Sequence, residues 1–280
     1  MNNCKTGQVT VFFILGLLLV IIGVVIFFII NTSQTKKADT ELMHAVTSLN
    51  DVNDVKNYVD FCLDSSLKSG LLLIGRQGGY VVAPIDANVM FNIKHNESMY
   101  VSGFNFEVYP NYNNGTTILV PSKEVISSEL EVVVLNLVNS CITELNKTSK
   151  DLDISVGTPS ISVEFLDRTT VAKMNLSINL SEKDKVVSID SFNAIIPFYY
   201  SETFRVAQTF IEKQVDNLEY FDLGYLTYLS HKNNFKFERS LLDGDKSLVK
   251  LNFGKMNDLF NDDFVINFAI VHTSIQEALD

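Results

Sequence analysis

The chain has 280 residues, 46% of them hydrophobic, and 22 Lys and Arg stand against 33 Asp and Glu, a formal net charge of −11. That balance excludes a nucleic-acid binder, because phosphate neutralisation needs clustered cations and the longest basic run is Lys36 with Lys37. About 250 residues follow the N-terminal apolar run, enough for one or two domains with real cores.

Residues 9–30 contain no charge. As a helix the run is about 33 Å long, matched to a hydrocarbon core of roughly 30 Å. A secretory apolar region is only about 7–15 residues and ends at a small-residue cleavage site, whereas Asn31-Thr32-Ser33-Gln34 is polar. The run therefore reads as a retained transmembrane helix over 9–30, with 1–8 as a cytoplasmic flank or leader and 31–40 as a juxtamembrane link. A cleaved signal peptide is the competing reading. Lys5 precedes the run, while Lys36 and Lys37 after it are offset by Asp39 and Glu41, so charge barely orients it.

The flank Lys5-Thr6-Gly7-Gln8 resembles the type III signal sequences of archaeal pilin-like proteins. The resemblance implies cleavage between Gly7 and Gln8, leaving the apolar helix on the mature protein. Pilins carry a Glu at the fifth mature position, where its carboxylate helps set subunit register; here that position is Phe12.

After the membrane, residues 41–150 read as helical segments with short strands and 151–280 as an α+β domain. Leu42, Val46 and Leu49, then Val55, Val59, Cys62, Leu67, Leu71 and Ile74, recur at three- to four-residue spacing and predict one or two amphipathic helices. The break falls at 51–54, where Asn and Asp compete for the backbone. Gly75 ends the second helix, and "RQGG" turns into a strand over 80–83. Residues 89–112 predict two short strands, with "NYNNG" as a polar turn. Pro121 and Ser122 open a long helix, Ser122 as N-cap and Glu124 in its first turn, with Ile126, Leu130, Val133, Val134, Leu137, Cys141 and Leu145 as its apolar face.

From Asp153 the period becomes two. Strands over 154–156, 161–165, 171–180 and 186–197 predict an antiparallel meander with "SEKDK" as a hairpin tip. Phe204, Ala207, Ile211, Val215 and Leu218 mark a further helix, continued by a shorter one over 223–229. Strands 235–242 and 248–253 flank the turn Asp243-Gly244-Asp245, and 264–271 closes the fold. The expected class is α+β, an N-terminal transmembrane helix followed by an ectodomain of amphipathic helices packed on antiparallel sheet.

Cys4, Cys62 and Cys141 are the only cysteines. Cys62 and Cys141 sit on apolar helix faces, so two packed helices would bring them together as a disulfide; the alternative is a pair of small buried thiols. A Cys–His nucleophile would need one of them beside His44, His95, His231 or His272, and no spacing nominates a pair. No His or Cys lie at metal-ligand spacing. Asp243-Gly244-Asp245 lacks the further carboxylates of a calcium loop, and Asp262-Asp263 reads as a solvated strand start. "IGRQGGY" has no phosphate-binding lysine. The aromatic stretch 100–112 reads as one face of a sheet or a sugar platform. Sequons at Asn31, Asn96, Asn114, Asn146, Asn175 and Asn179 permit glycosylation, in an Asn-rich chain where several arise by chance.

Three blocks, "GQVTVFFILG", "VKNYVDFCLDSSLKSGLLLIGRQGGYVVAP" and "VPSKEVISSELEVVVLNLVNSC", resemble an uncharacterised family of single-pass membrane-anchored proteins of small-genome archaea. The resemblance covers about the first 150 residues and implies placement without an activity, cofactor or catalytic residue. The expectation is a membrane-anchored extracytoplasmic protein with a structural or binding role, in the cell membrane through residues 9–30. Its partners would be the bilayer, an envelope protein or a second copy of itself. A pilin-like filament subunit and an extracytoplasmic hydrolase are the competing expectations.

Overall fold

Twelve of the residues from Val52 to Arg76 are buried, at the three- and four-residue steps that set one helical stripe toward a core, and this segment is helix α1. The computed structural model describes residues 52–81, 91–92, 108–109, 111–113, 120–148, 153–182, 185–215, 220–241, 246–256 and 258–271. The predicted transmembrane helix, the helix at 42–49, the aromatic stretch before residue 108 and the tip at 242–245 lie outside the described residues.

Helix α1 stops where Gly78 (φ 66°) and Gly79 (φ 94°) take positive φ, and their amides donate to the carbonyls of Gly75 (3.0 Å) and Ile74 (2.8 Å). Glycine is required here, because a Cβ on Gly79 would lie 2.8 Å from Pro121 Cγ. The second helix, α2 (Lys123–Thr148), is opened by Ser122, whose Oγ accepts from Val125 N at 3.3 Å. Its buried stripe is Ile126, Leu130, Val133, Val134, Val138, Ile142 and Leu145. Predicted Leu137 is only partly buried, because the stripe follows the 3.6-residue repeat onto Val138 and Ile142. At Gly70 of α1 the two helices approach so closely that a Cβ would meet Leu130 Cδ1 at 2.9 Å.

The helices lie on a sheet of β4 (Asp153–Val156), β5 (Ser160–Phe165), β6 (Thr170–Glu182) and β7 (Lys185–Ile196). The expected meander is corrected in one respect: β4 and β5 do not pair with each other but both pair with one edge of β6, and β7 takes the other. Gly157-Thr158-Pro159 does not reverse the chain, so β4 and β5 run in line as one interrupted strand. Gly157 N bonds Ser177 O at 2.8 Å to hold the junction. Along β6, Ala172, Met174, Leu176, Ile178 and Leu180 are buried while Lys173, Asn175, Ser177 and Asn179 are exposed, the two-residue alternation of a half-buried strand.

Beyond a 3₁₀ turn at Tyr200–Glu202 come helix α3 (Phe204–Val215) and helix α4 (Leu223–Asn233). Asp222 caps α4 by accepting from Tyr225 N at 2.8 Å, and Asn234 closes it in the left-handed region. The strands β8 (Lys236–Leu241), β9 (Lys246–Asn252) and β10 (Val265–Val271) form an antiparallel set. Earlier in the chain, β1 (Phe91–Asn92) pairs with β2 (Val108–Tyr109). A third short strand, β3 (Asn111–Asn113), adds to β10 in parallel. This corrects the reading of "NYNNG" as wholly turn: the strand is made by backbone bonds to a segment more than 150 positions away, which local composition does not encode.

The architecture is α+β, and the elements share one hydrophobic core. The C-terminal end of α1 reaches β10, where Asn267 Nδ2 donates to Arg76 O at 3.1 Å. An aromatic cluster joins the two sheets around Phe198, whose ring is 4.9 Å from Phe264 and 6.3 Å from Phe165.

Candidate functional site

Cys62 on α1 is fully buried and is bonded to Cys141 on α2, with Cα atoms 5.9 Å apart across a separation of 79 residues. One helical turn before Cys62, Tyr58 donates from its hydroxyl to Cys141 O at 3.0 Å. The covalent tie and this hydrogen bond therefore converge on one crossing of α1 with α2. Gly7 and Gln8, the expected leader cleavage pair, lie outside the described residues.

Among the described residues one helical stretch, Lys123–Thr143, is long and apolar enough to cross a membrane. Its apolar stripe is already taken up by the core. Its other side carries Glu124, Ser128, Asn136, Asn139 and Ser140, all exposed. Ser127 Oγ donates to Val163 O, and Glu131 Oε1 accepts from Val163 N at 2.9 Å, so α2 satisfies both backbone groups of Val163 on the outer edge of β5. Glu129 likewise accepts from Val81 N at 2.9 Å and fixes the chain leaving α1.

A cleft of about 390 Å³ opens where the start of α2, the 3₁₀ turn and α3 meet. Its floor is a brace built on Gln208, which is 6% exposed. Gln208 Nε2 donates to Pro121 O at 2.5 Å and its Oε1 accepts from Tyr200 Oη at 2.9 Å. Burial pushes the Tyr200 phenol above its ordinary value; the bond to Gln208 and the charge of Arg205 oppose the shift, and Glu124 and Glu212 add to it. On the rim Arg205 pairs with Glu212 at 3.1 Å, and Lys123 Nζ stands 6.0 Å from the Tyr200 ring centre. The bonds that shape this cleft tie α3 to the segment leading into α2. The lining of the cleft sets the cations Lys123 and Arg205 beside Glu212, Ser122 and the Tyr200 hydroxyl.

His231 is exposed on α4, and both described cysteines are bonded to each other. His44, His95, His272 and Asp243-Gly244-Asp245 lie outside the described residues. Asp262 and Asp263 are exposed and face different partners, Arg76 at 3.6 Å and Asn252 Nδ2 at 2.9 Å. No group of three or more His, Cys, Asp or Glu among the described residues is arranged to hold a metal ion.

Sequence reasoning missed the Gln208 brace, because Gln208 and Pro121 are 87 positions apart and neither belongs to a motif. Comparison with protein families, with curated proteins and with solved structures finds no match for this chain.

Proposed function

We propose that this chain is a membrane-anchored extracytoplasmic protein with a structural or binding role in the cell envelope. In this reading residues 9–30 lie in the bilayer and the disulfide-tied α+β fold stands outside it. The observation that carries the reading is the Cys62–Cys141 bond at the α1–α2 crossing, since such bonds persist in oxidising compartments and are rare where thiols are kept reduced. The uncharged run 9–30 supplies the attachment. A non-catalytic role is supported by the use of Glu129, Glu131 and Asp222 as acceptors for backbone amides, where they organise the fold.

Membranes prepared from cells making the full chain test this directly. The protein is expected to stay with the membrane through high-salt washing, to need detergent for release, and to expose Cys62 and Cys141 to alkylation only after reduction. Protease added to intact cells should cut beyond residue 40. Recovery in the salt-soluble fraction with freely alkylated thiols would overturn the proposal. Shear-released polymers beginning at Gln8 would assign the chain to filaments instead.

A further inference from the structure

Strand β6 carries a direct repeat, Asn175-Leu176-Ser177-Ile178-Asn179-Leu180-Ser181, which is two Asn-X-Ser sequons four residues apart. In a strand, a four-residue step returns to the same face. Leu176, Ile178 and Leu180 accordingly enter the core, and Asn175, Ser177 and Asn179 stand exposed on the opposite face. The alternation on β6 survives the register shift between Asn175 and Ile178 where β6 meets β7.

What surrounds each Asn is more informative than the motif, which chance alone supplies in a chain of this composition. Asn175 is flanked by Ser160 on β5 and Ser191 on β7; Asn179 is flanked by Ser155 on β4 and Ser188 on β7. All four serines are exposed. Cross-strand neighbours lie about 5 Å apart, and a serine there rises no higher than its single oxygen. Each Asn is thus flanked across the strands by serines alone; the longer side chains on this face, Lys173 on β6 and Asp190 on β7, stand along the strands from them, and Ser188 Oγ donates to Asp190 Oδ1 at 3.2 Å. The helices α1 and α2 pack on the other face, so nothing described covers this one.

We propose that Asn175 and Asn179 are N-glycosylation sites and that the outer face of the β4–β7 sheet is the sugar-bearing face of this protein. The inference rests on the extracytoplasmic reading above. The donor is an oligosaccharide linked to a polyprenyl phosphate or diphosphate. The Asn carboxamide nitrogen bonds to the anomeric carbon as the bond from that carbon to the phosphate oxygen breaks. The lipid phosphate leaves with the electron pair, the amide gives up one proton to solvent, and nothing is oxidised or reduced. Ser177 and Ser181 complete the two acceptor sequons. The two Asn are about 13 Å apart along the strand, room for two sugar stems side by side.

The test is peptide mass mapping of the full chain extracted with detergent from its own cells' membranes, under non-reducing conditions. Sugar mass on Asn175 or Asn179 is expected. Asn175→Gln and Ser177→Ala should each abolish it at the first site, and Asn179→Gln and Ser181→Ala at the second. Asn193→Gln, an exposed Asn on the same sheet outside any sequon, should leave it intact. Formation of the Cys62–Cys141 bond in each variant reports that the fold is kept. Two bare Asn residues in membrane-bound, disulfide-bonded protein would overturn this inference and leave the extracytoplasmic reading standing. Free thiols in a salt-soluble chain would overturn both.

Discussion

Gly75 lies in the last turn of α1, and the structure reverses the usual effect of replacing it. Ala in place of a helical Gly ordinarily stabilises by up to about 1 kcal/mol, because Gly loses more backbone freedom on folding. At Gly75 an added Cβ would lie 2.6 Å from Val265 O and 2.9 Å from Phe264 Cζ. The first obstacle is backbone of β10, so relief requires α1 and β10 to part, and the Asn267–Arg76 bond beside the contact resists that. Overpacking of this kind costs about 1–3 kcal/mol, at the upper end where backbone must move. Gly75→Ala should therefore destabilise by roughly 2 kcal/mol net, a fall in Tm of about 4–8 °C. Gly224→Ala is the matched control, because that position in the first turn of α4 is exposed and meets nothing closer than Asp222 Oδ1 at 3.6 Å. It should be neutral or stabilising by up to about 1 kcal/mol. Urea unfolding of the detergent-solubilised chain, followed by far-UV circular dichroism since there is no Trp, separates the two. If Gly75→Ala raises the midpoint as Gly224→Ala does, the close approach of α1 to β10 is refuted.

Three further outcomes are expected. Reduction, or Cys62→Ser with Cys141→Ser, should cost at most about 4–5 kcal/mol, the chain-entropy value for a separation of 79 residues, read as a lower urea midpoint. Gln208→Leu leaves Pro121 O and the Tyr200 hydroxyl without their partner and should destabilise by about 2–3 kcal/mol in the same assay, well beyond a surface substitution. Burial raises the Tyr80 and Tyr200 phenols above their ordinary value near 10. The unfolded chain then loses these protons first as pH rises, so their contribution is fully present below about pH 10 and is lost above it. Tyr80→Phe with Tyr200→Phe should flatten that alkaline fall, and an unchanged slope would count against the burial of these rings.

The parts of the fold that were legible in the sequence are those whose hydrophobic repeat is long. Helix α2, with its Ser122 cap, and the β6–β7 hairpin were readable because a dozen or more residues keep one period, and burial on one face enforces it. The placement of β4 and β5 on one edge of β6 was not, since a three-residue link containing Pro159 looks like a turn and serves as a break within a strand. Strand β3 and the Gln208 brace were hidden for another reason: each is made by partners 87 or more positions distant, through a backbone ladder or a lone amide that leaves no repeat. The cysteines occupy the middle ground. Their helices and inward faces followed from spacing, but which residues would touch depended on the crossing of α1 over α2.

That crossing bears on how the molecule is held together. Helix α1 contacts β6 and β7, and β10 at its C-terminal end, so it joins the two sheets. Helix α2 is bonded to it at Cys141 and meets it closely at Gly70, and through Ser127 and Glu131 it also bonds Val163 on the open edge of β5. A sheet edge left with unpaired amides invites pairing with another chain. The same helix that receives the disulfide thus occupies one such edge at Val163. Loss of the bond should therefore weaken both the α1 joint and the guard on β5. Reduced protein is expected to self-associate before it fully unfolds, seen as a rise in light scattering at urea concentrations below the circular-dichroism transition. Scattering that follows the loss of helix signal instead would separate the disulfide from the protection of this edge.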